Sequence, residues 1–89
     1  MRIKLTLHAK QKLQTKEAKM IKIDRKKILE VIKQPLVEDK ALNPHRSISK
    51  LSENLSLAVI WKVENGIIRI ITFYPAEKGR YESKVRQRG

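Results

Sequence analysis

The segment Thr72-Phe-Tyr-Pro-Ala-Glu-Lys-Gly-Arg-Tyr81 places both tyrosines of the chain, a lysine and an arginine within ten residues. A stable fold has no need of that cluster at the end of an apolar strand. A guanidinium and an ammonium can grip phosphate oxygens, and phenols stack on bases or hydrogen-bond to them. His8 and Lys12 stand four positions apart, a spacing that shares one face of a helix. These types suit metal-independent RNA cleavage, in which a 2′-hydroxyl attacks the adjacent phosphorus. That reaction needs a base, an acid for the leaving 5′-oxygen, and cations for the charged transition state. His8 is the natural base or acid, because imidazole changes charge near neutrality. Arg80 and Lys78 would hold phosphate, and Tyr74 or Tyr81 would stack or donate a hydrogen bond. Arg69 is a second cation, supplied from the sheet.

Each residue also has a plain structural reading. His8 can tie a helix start to a strand, and Lys12, Lys16 and Lys19 can form a solvated face. Tyr74 can be partly core. Arg80 and Tyr81 have the weakest packing duty, since they follow Gly79 beyond the last strand. His45 beside Pro44 is left without a role. The two histidines are far apart and lack carboxylates at ligand spacing, and there is no cysteine. No metal site, cofactor or disulfide is therefore expected.

The charge balance favours a polyanionic partner. Lys and Arg number 21 against 9 Asp and Glu, a formal net charge of +12. Residues 1–34 carry +8, residues 35–76 carry +1 and residues 77–89 carry +3. Thermophile-style surface charging pairs Lys with Glu, and Glu is too scarce here for that account. No apolar run reaches the roughly 20 residues of a membrane-spanning helix. The opening Met-Arg-Ile-Lys-Leu-Thr-Leu-His alternates like a strand and is unlike a signal peptide, so a soluble cytoplasmic protein is expected.

The length of 89 residues predicts a single domain, 1–89, with a short basic C-terminal tail. Ile3, Leu5 and Leu7 alternate with polar residues over a short N-terminal strand at residues 2–6. From His8 the pattern turns helical, with Ala9, Leu13 and Met20 as a thin apolar stripe and Thr6 or Leu7 near the cap. Asp24 is a good N-cap for a second helix, with Ile28, Leu29, Val31 and Ile32 on its buried face and Gln34-Pro35 as its stop. Residues 36–46 read as a loop, and Ser47–Leu51 as a short edge strand. Leu55–Val63 and Ile67–Tyr74 flank Asn65-Gly66, which supplies the two positive-φ positions of a type I′ hairpin turn. A regular register then sets Glu64 opposite Ile67, Lys62 opposite Arg69, Ile60 opposite Ile71 and Ala58 opposite Phe73. The other face pairs Val63 with Ile68, Trp61 with Ile70, Val59 with Thr72 and Leu57 with Tyr74. Lys62 beside Arg69 is unfavourable unless Glu64, solvent or a phosphate relieves it. The expected fold class is α+β: an N-terminal strand and two helices packed on a three- to four-stranded antiparallel sheet.

This order of elements on a small basic chain resembles the RelE/ParE superfamily of toxins from toxin–antitoxin systems. More narrowly, it resembles a branch of small domains of unknown function related to the BrnT toxins. That branch opens with a strand running into His-Ala-x-x-Arg, matched here by His8, Ala9 and Lys12. It closes on Thr-x-Tyr-Pro and a basic Arg-Tyr element, matched by Thr72, Tyr74, Pro75, Arg80 and Tyr81. The likeness runs over residues 4–82. Lys12 departs from the usual arginine, keeping the charge and losing bidentate geometry. The link from Ala18 to Asp24 lacks the expected glycine.

The resemblance implies a RelE-like fold and a ribonuclease toxin, with ribosome-bound mRNA as one target, restrained by a cognate acidic or DNA-binding antitoxin. The candidate residues are His8, Arg80 and Tyr81 as catalytic and Lys12, Arg69, Thr72, Tyr74 and Lys78 as substrate-binding; the motifs of the resemblance contain all of these but Arg69 and Lys78. Two alternatives stand beside the ribonuclease reading. One is a non-catalytic basic module that binds nucleic acid by charge, and the other is a module that binds an acidic antitoxin segment. The same fold serves a gyrase-poisoning toxin, so architecture leaves the target open.

Overall fold

The computed structural model describes residues 2–41 and 43–77. Among these residues five strands and three helices follow in the order β1 (Arg2–Leu5), α1 (Leu7–Leu13), α2 (Lys16–Met20), α3 (Arg25–Lys33), β2 (Val37–Asp39), β3 (His45–Lys50), β4 (Leu55–Glu64) and β5 (Ile67–Glu77). The class is α+β, and the sheet is larger and more mixed than the residue pattern suggested. Its order is β1-β5-β4-β3-β2. β1 runs parallel to β5, and the other pairs are antiparallel.

The helices begin where short polar side chains can cap them. Thr6, Thr15 and Asp24 accept from the backbone N–H groups of Ala9, Ala18 and Lys27. The Thr15 cap corrects the expectation of one long first helix. Its hydroxyl also donates to the Lys12 carbonyl at 2.7 Å, ending α1 and starting α2 in a new direction. Met20, expected on the apolar stripe, is therefore exposed. Lys22 takes φ +59° in the link to α3, the conformation for which glycine was expected. Ile28 and Val31 are fully buried, whereas Leu29 and Ile32 are half-buried.

Two strand expectations also change. Residues 37–39 form β2, and β3 is interior, because β2 covers its outer edge. The hairpin turn is as expected, with Asn65 at φ +51° and Gly66 at +74°. Its register holds from Glu64–Ile67 to Trp61–Ile70 and then shifts by one residue. Ile71 is the extra residue, a β-bulge. Beyond it Ile60 faces Thr72, Val59 faces Phe73, Ala58 faces Tyr74 and Leu57 faces Pro75. The reason is packing. Phe73 joins Leu57, Val59, Trp61 and Ile70 in the core under the helices, where an unbulged strand would have put Thr72 and Tyr74.

Candidate functional site

The bulge and the first helix cap build one site together. β1 stops pairing at Leu5–Ile70, and Thr6 continues the contact by donating its N–H to the Ile70 carbonyl at 3.0 Å. Its hydroxyl donates to the Ile71 carbonyl at 3.1 Å and accepts from Ala9 N–H at 3.2 Å. Thr6 thus satisfies the bulged residue's carbonyl and fixes the origin of α1 against β5. From that origin, positions two and six residues on reach back over β5.

There His8 Nε2 lies 3.2 Å from Thr72 Oγ1, and Lys12 Nζ donates to the same oxygen at 3.3 Å. Lys12 Nζ also stands 5.4 Å from the centroid of the Phe73 ring, a cation–π distance. The Thr72 hydroxyl serves either form of the imidazole, donating to a bare Nε2 and accepting from a protonated one. His8 is exposed and Lys12 half-buried. Both line an open cavity of about 300 Å³ with Gln11 and Thr15. On the other side of Lys12, a smaller cleft of about 50 Å³ is lined by Thr15, Ala18, Ile23, Phe73 and Pro75, among others. The arrangement is an exposed imidazole and an ammonium held on one hydroxyl, open to solvent on the helix side. It can exchange a proton and neutralise an anionic oxygen.

The other expected site residues divide. Tyr74 is half-buried and pairs with Ala58, which replaces the expected partner Leu57. Arg69 lies on β5 beside Lys62 and away from the His8 cluster. Glu64 resolves the like-charge pair: Lys62 Nζ sits 2.7 Å from Oε2 and Arg69 Nε 2.9 Å from Oε1. The Arg69 contact is an ion pair without an aligned N–H···O bond. The hydrogen bond and charge of Lys62, aided by Arg69, hold the Glu64 carboxyl below its ordinary value. Lys78, Arg80 and Tyr81 lie outside the described residues. His45, left without a role from sequence, packs its ring on Trp61 with centroids 4.7 Å apart. Trp61 in turn donates Nε1–H to the buried Ser47 hydroxyl at 2.9 Å.

Among the described residues no three His, Cys, Asp or Glu side chains come together as a metal site. No helix among them is long and apolar enough to cross a membrane. The chain matches no family model, no curated protein and no solved structure.

Proposed function

We propose that the chain is a metal-independent ribonuclease of RelE-like fold, the toxin of a toxin–antitoxin pair. The observation that supports this most is the meeting of His8 and Lys12, from one helix, on the Thr72 hydroxyl of β5. His8 and Ala9 belong to the opening motif of the resemblance and Thr72 to its closing one. His8 and Thr72 are 64 residues apart in sequence and in contact in space.

In this reading Nε2 of His8 stays held by Thr72, and the other ring nitrogen, Nδ1, takes the 2′-hydroxyl proton or returns one to the 5′-oxygen. Lys12 Nζ offsets charge on a non-bridging phosphate oxygen. Arg80, Tyr81 and Lys78 follow the strand that carries Thr72, and they supply the remaining cations and a stacking ring. Tyr74 extends the substrate surface along β5, and Arg69, which lies away from the His8 cluster, is left out of it. The partners are RNA and an antitoxin whose acidic segment competes for the basic ends of the chain.

A second reading has one observation of its own. The His8–Thr72 contact also ties α1 to β5, a structural duty that a non-catalytic RNA- or antitoxin-binding module would share. Incubating the protein with single-stranded RNA and with mRNA-programmed ribosomes, beside His8→Ala, separates the two. Cleavage by the wild type in either sample, lost in the variant, supports the nuclease. Salt-sensitive binding by both proteins without cleavage in either sample supports the binding module.

A further inference from the structure

A strongly basic concavity among the described residues lies away from His8. A cavity of about 410 Å³ is lined by Lys4, Leu5, Lys10, Arg25 and Arg69. Four of its five lining residues are cations, and none is acidic. They come from four elements. Lys4 of β1 pairs with Arg69 of β5 in the parallel register, Lys10 belongs to α1, and Arg25 is the first residue of α3. Leu5, buried, forms the apolar wall. Lys10 is two positions from both His8 and Lys12, which on a helix is about 200° away, so α1 separates the two sites.

Asp24 is committed to the cap of α3 through Lys27 N–H, and Glu64 bridges Arg69 to Lys62, so Arg69 brings a charge already shared with a carboxylate. Lys4, Lys10 and Arg25 are exposed. Converging cations around a concave surface raise the local concentration of anions. The charges of Lys4, Lys10 and Arg25, with the shared charge of Arg69, match a diphosphate, or two successive phosphates of a nucleic-acid backbone, better than a single small anion.

We propose that the Lys4/Lys10/Arg25/Arg69 cavity is a phosphate-binding site, distinct from the His8 cluster and able to take two linked phosphate groups. It does not rest on the ribonuclease reading and stands whether or not His8 cleaves RNA. The test is calorimetric titration with inorganic pyrophosphate and, separately, with a short single-stranded RNA over a range of salt. Wild type is compared with Lys4→Gln/Arg25→Gln and with Lys26→Gln/Lys33→Gln, which removes the same charge from α3 outside the cavity.

Pyrophosphate affinity should fall about tenfold or more in the cavity variant and change little in the control, because charge-assisted contacts are lost only in the first. If RNA is the source of the phosphates, the slope of log K against log salt should also shrink by about 1.4 in the cavity variant alone. An unchanged RNA slope with the pyrophosphate loss intact assigns the site to free phosphate compounds. Equal losses in both variants, or no pyrophosphate binding to the wild type, would overturn the proposal.

Discussion

Replacing Thr72 with valine removes one hydroxyl and keeps the branched shape of the side chain. Two contacts disappear, His8 Nε2 at 3.2 Å and Lys12 Nζ at 3.3 Å. One is at and the other just beyond the long end of the usual N···O range, and the site is open to water, so each contributes at the low end of about 0.5–1.5 kcal/mol. Valine's better fit to a strand offsets part of this. The net stability loss should be about 1 kcal/mol or less, a fall in Tm of no more than about 8 °C for a chain of this size. Turnover should suffer more. Without the hydroxyl the imidazole keeps its place on α1 and loses its orientation, and a misplaced catalytic group costs on the order of 10- to 100-fold. Lys12 remains, so the loss should appear in kcat with little change in KM. The assay is cleavage of a labelled RNA in chelator by wild type, Thr72→Val, His8→Ala and the double variant. The part of the valine effect that acts through His8 should vanish once His8 is gone, leaving only the smaller part that acts through Lys12. A Thr72→Val protein cleaving at the wild-type rate would refute this positioning role. So would a valine effect of full size in the His8→Ala background.

Two further outcomes follow from the same packing. Ser47→Ala leaves the buried Trp61 indole N–H without its acceptor, and urea denaturation should show a loss of about 1–3 kcal/mol; a loss below about 0.5 kcal/mol would mean the N–H has another partner. Glu64 is held below its ordinary 4.5 in the folded chain, so the folded state binds fewer protons than the unfolded state as this group titrates. Its contribution is complete above pH 4.5 and is lost as the pH falls through the lower folded value. Glu64→Gln should therefore be less stable than the wild type at pH 7 in low salt, and the gap should close on acidification. A gap that persists at pH 2–3 would show that the Lys62 and Arg69 ion pairs are not its origin.

Much of the fold was legible because local signals agreed. Asn65-Gly66 specified the hairpin turn, Asp24 and Pro35 bracketed α3, and the start of α1 was narrowed to Thr6 or Leu7, of which Thr6 is the cap. The bulge was not legible, because β4 and β5 are apolar on both faces and a one-residue slip leaves little trace in such strands. A faint signal existed. Ile70 and Phe73 both belong inside and lie three apart, a spacing that an unbulged strand cannot bury on one face. β1 was visible as a strand, but its parallel partner was not, since no turn connects it to β5. The basic cavity depends on that pairing, so of its members only Arg69 was singled out from sequence. Lys4, Lys10 and Arg25 were present only as part of an N-terminal charge excess. His8, Lys12 and Thr72 were each chosen from sequence. Their common hydroxyl required Thr6 and the Ile71 carbonyl to set the helix over the strand.

The most direct measurement is the chemistry of the RNA ends. Cleavage by 2′-hydroxyl attack leaves a 2′,3′-cyclic phosphate on one fragment and a 5′-hydroxyl on the other. Wild-type protein incubated with RNA or programmed ribosomes in the presence of chelator should produce those ends, and His8→Ala should not. Fragments ending in 3′-hydroxyl and 5′-phosphate, or cyclic ends made equally well by His8→Ala, would contradict the account.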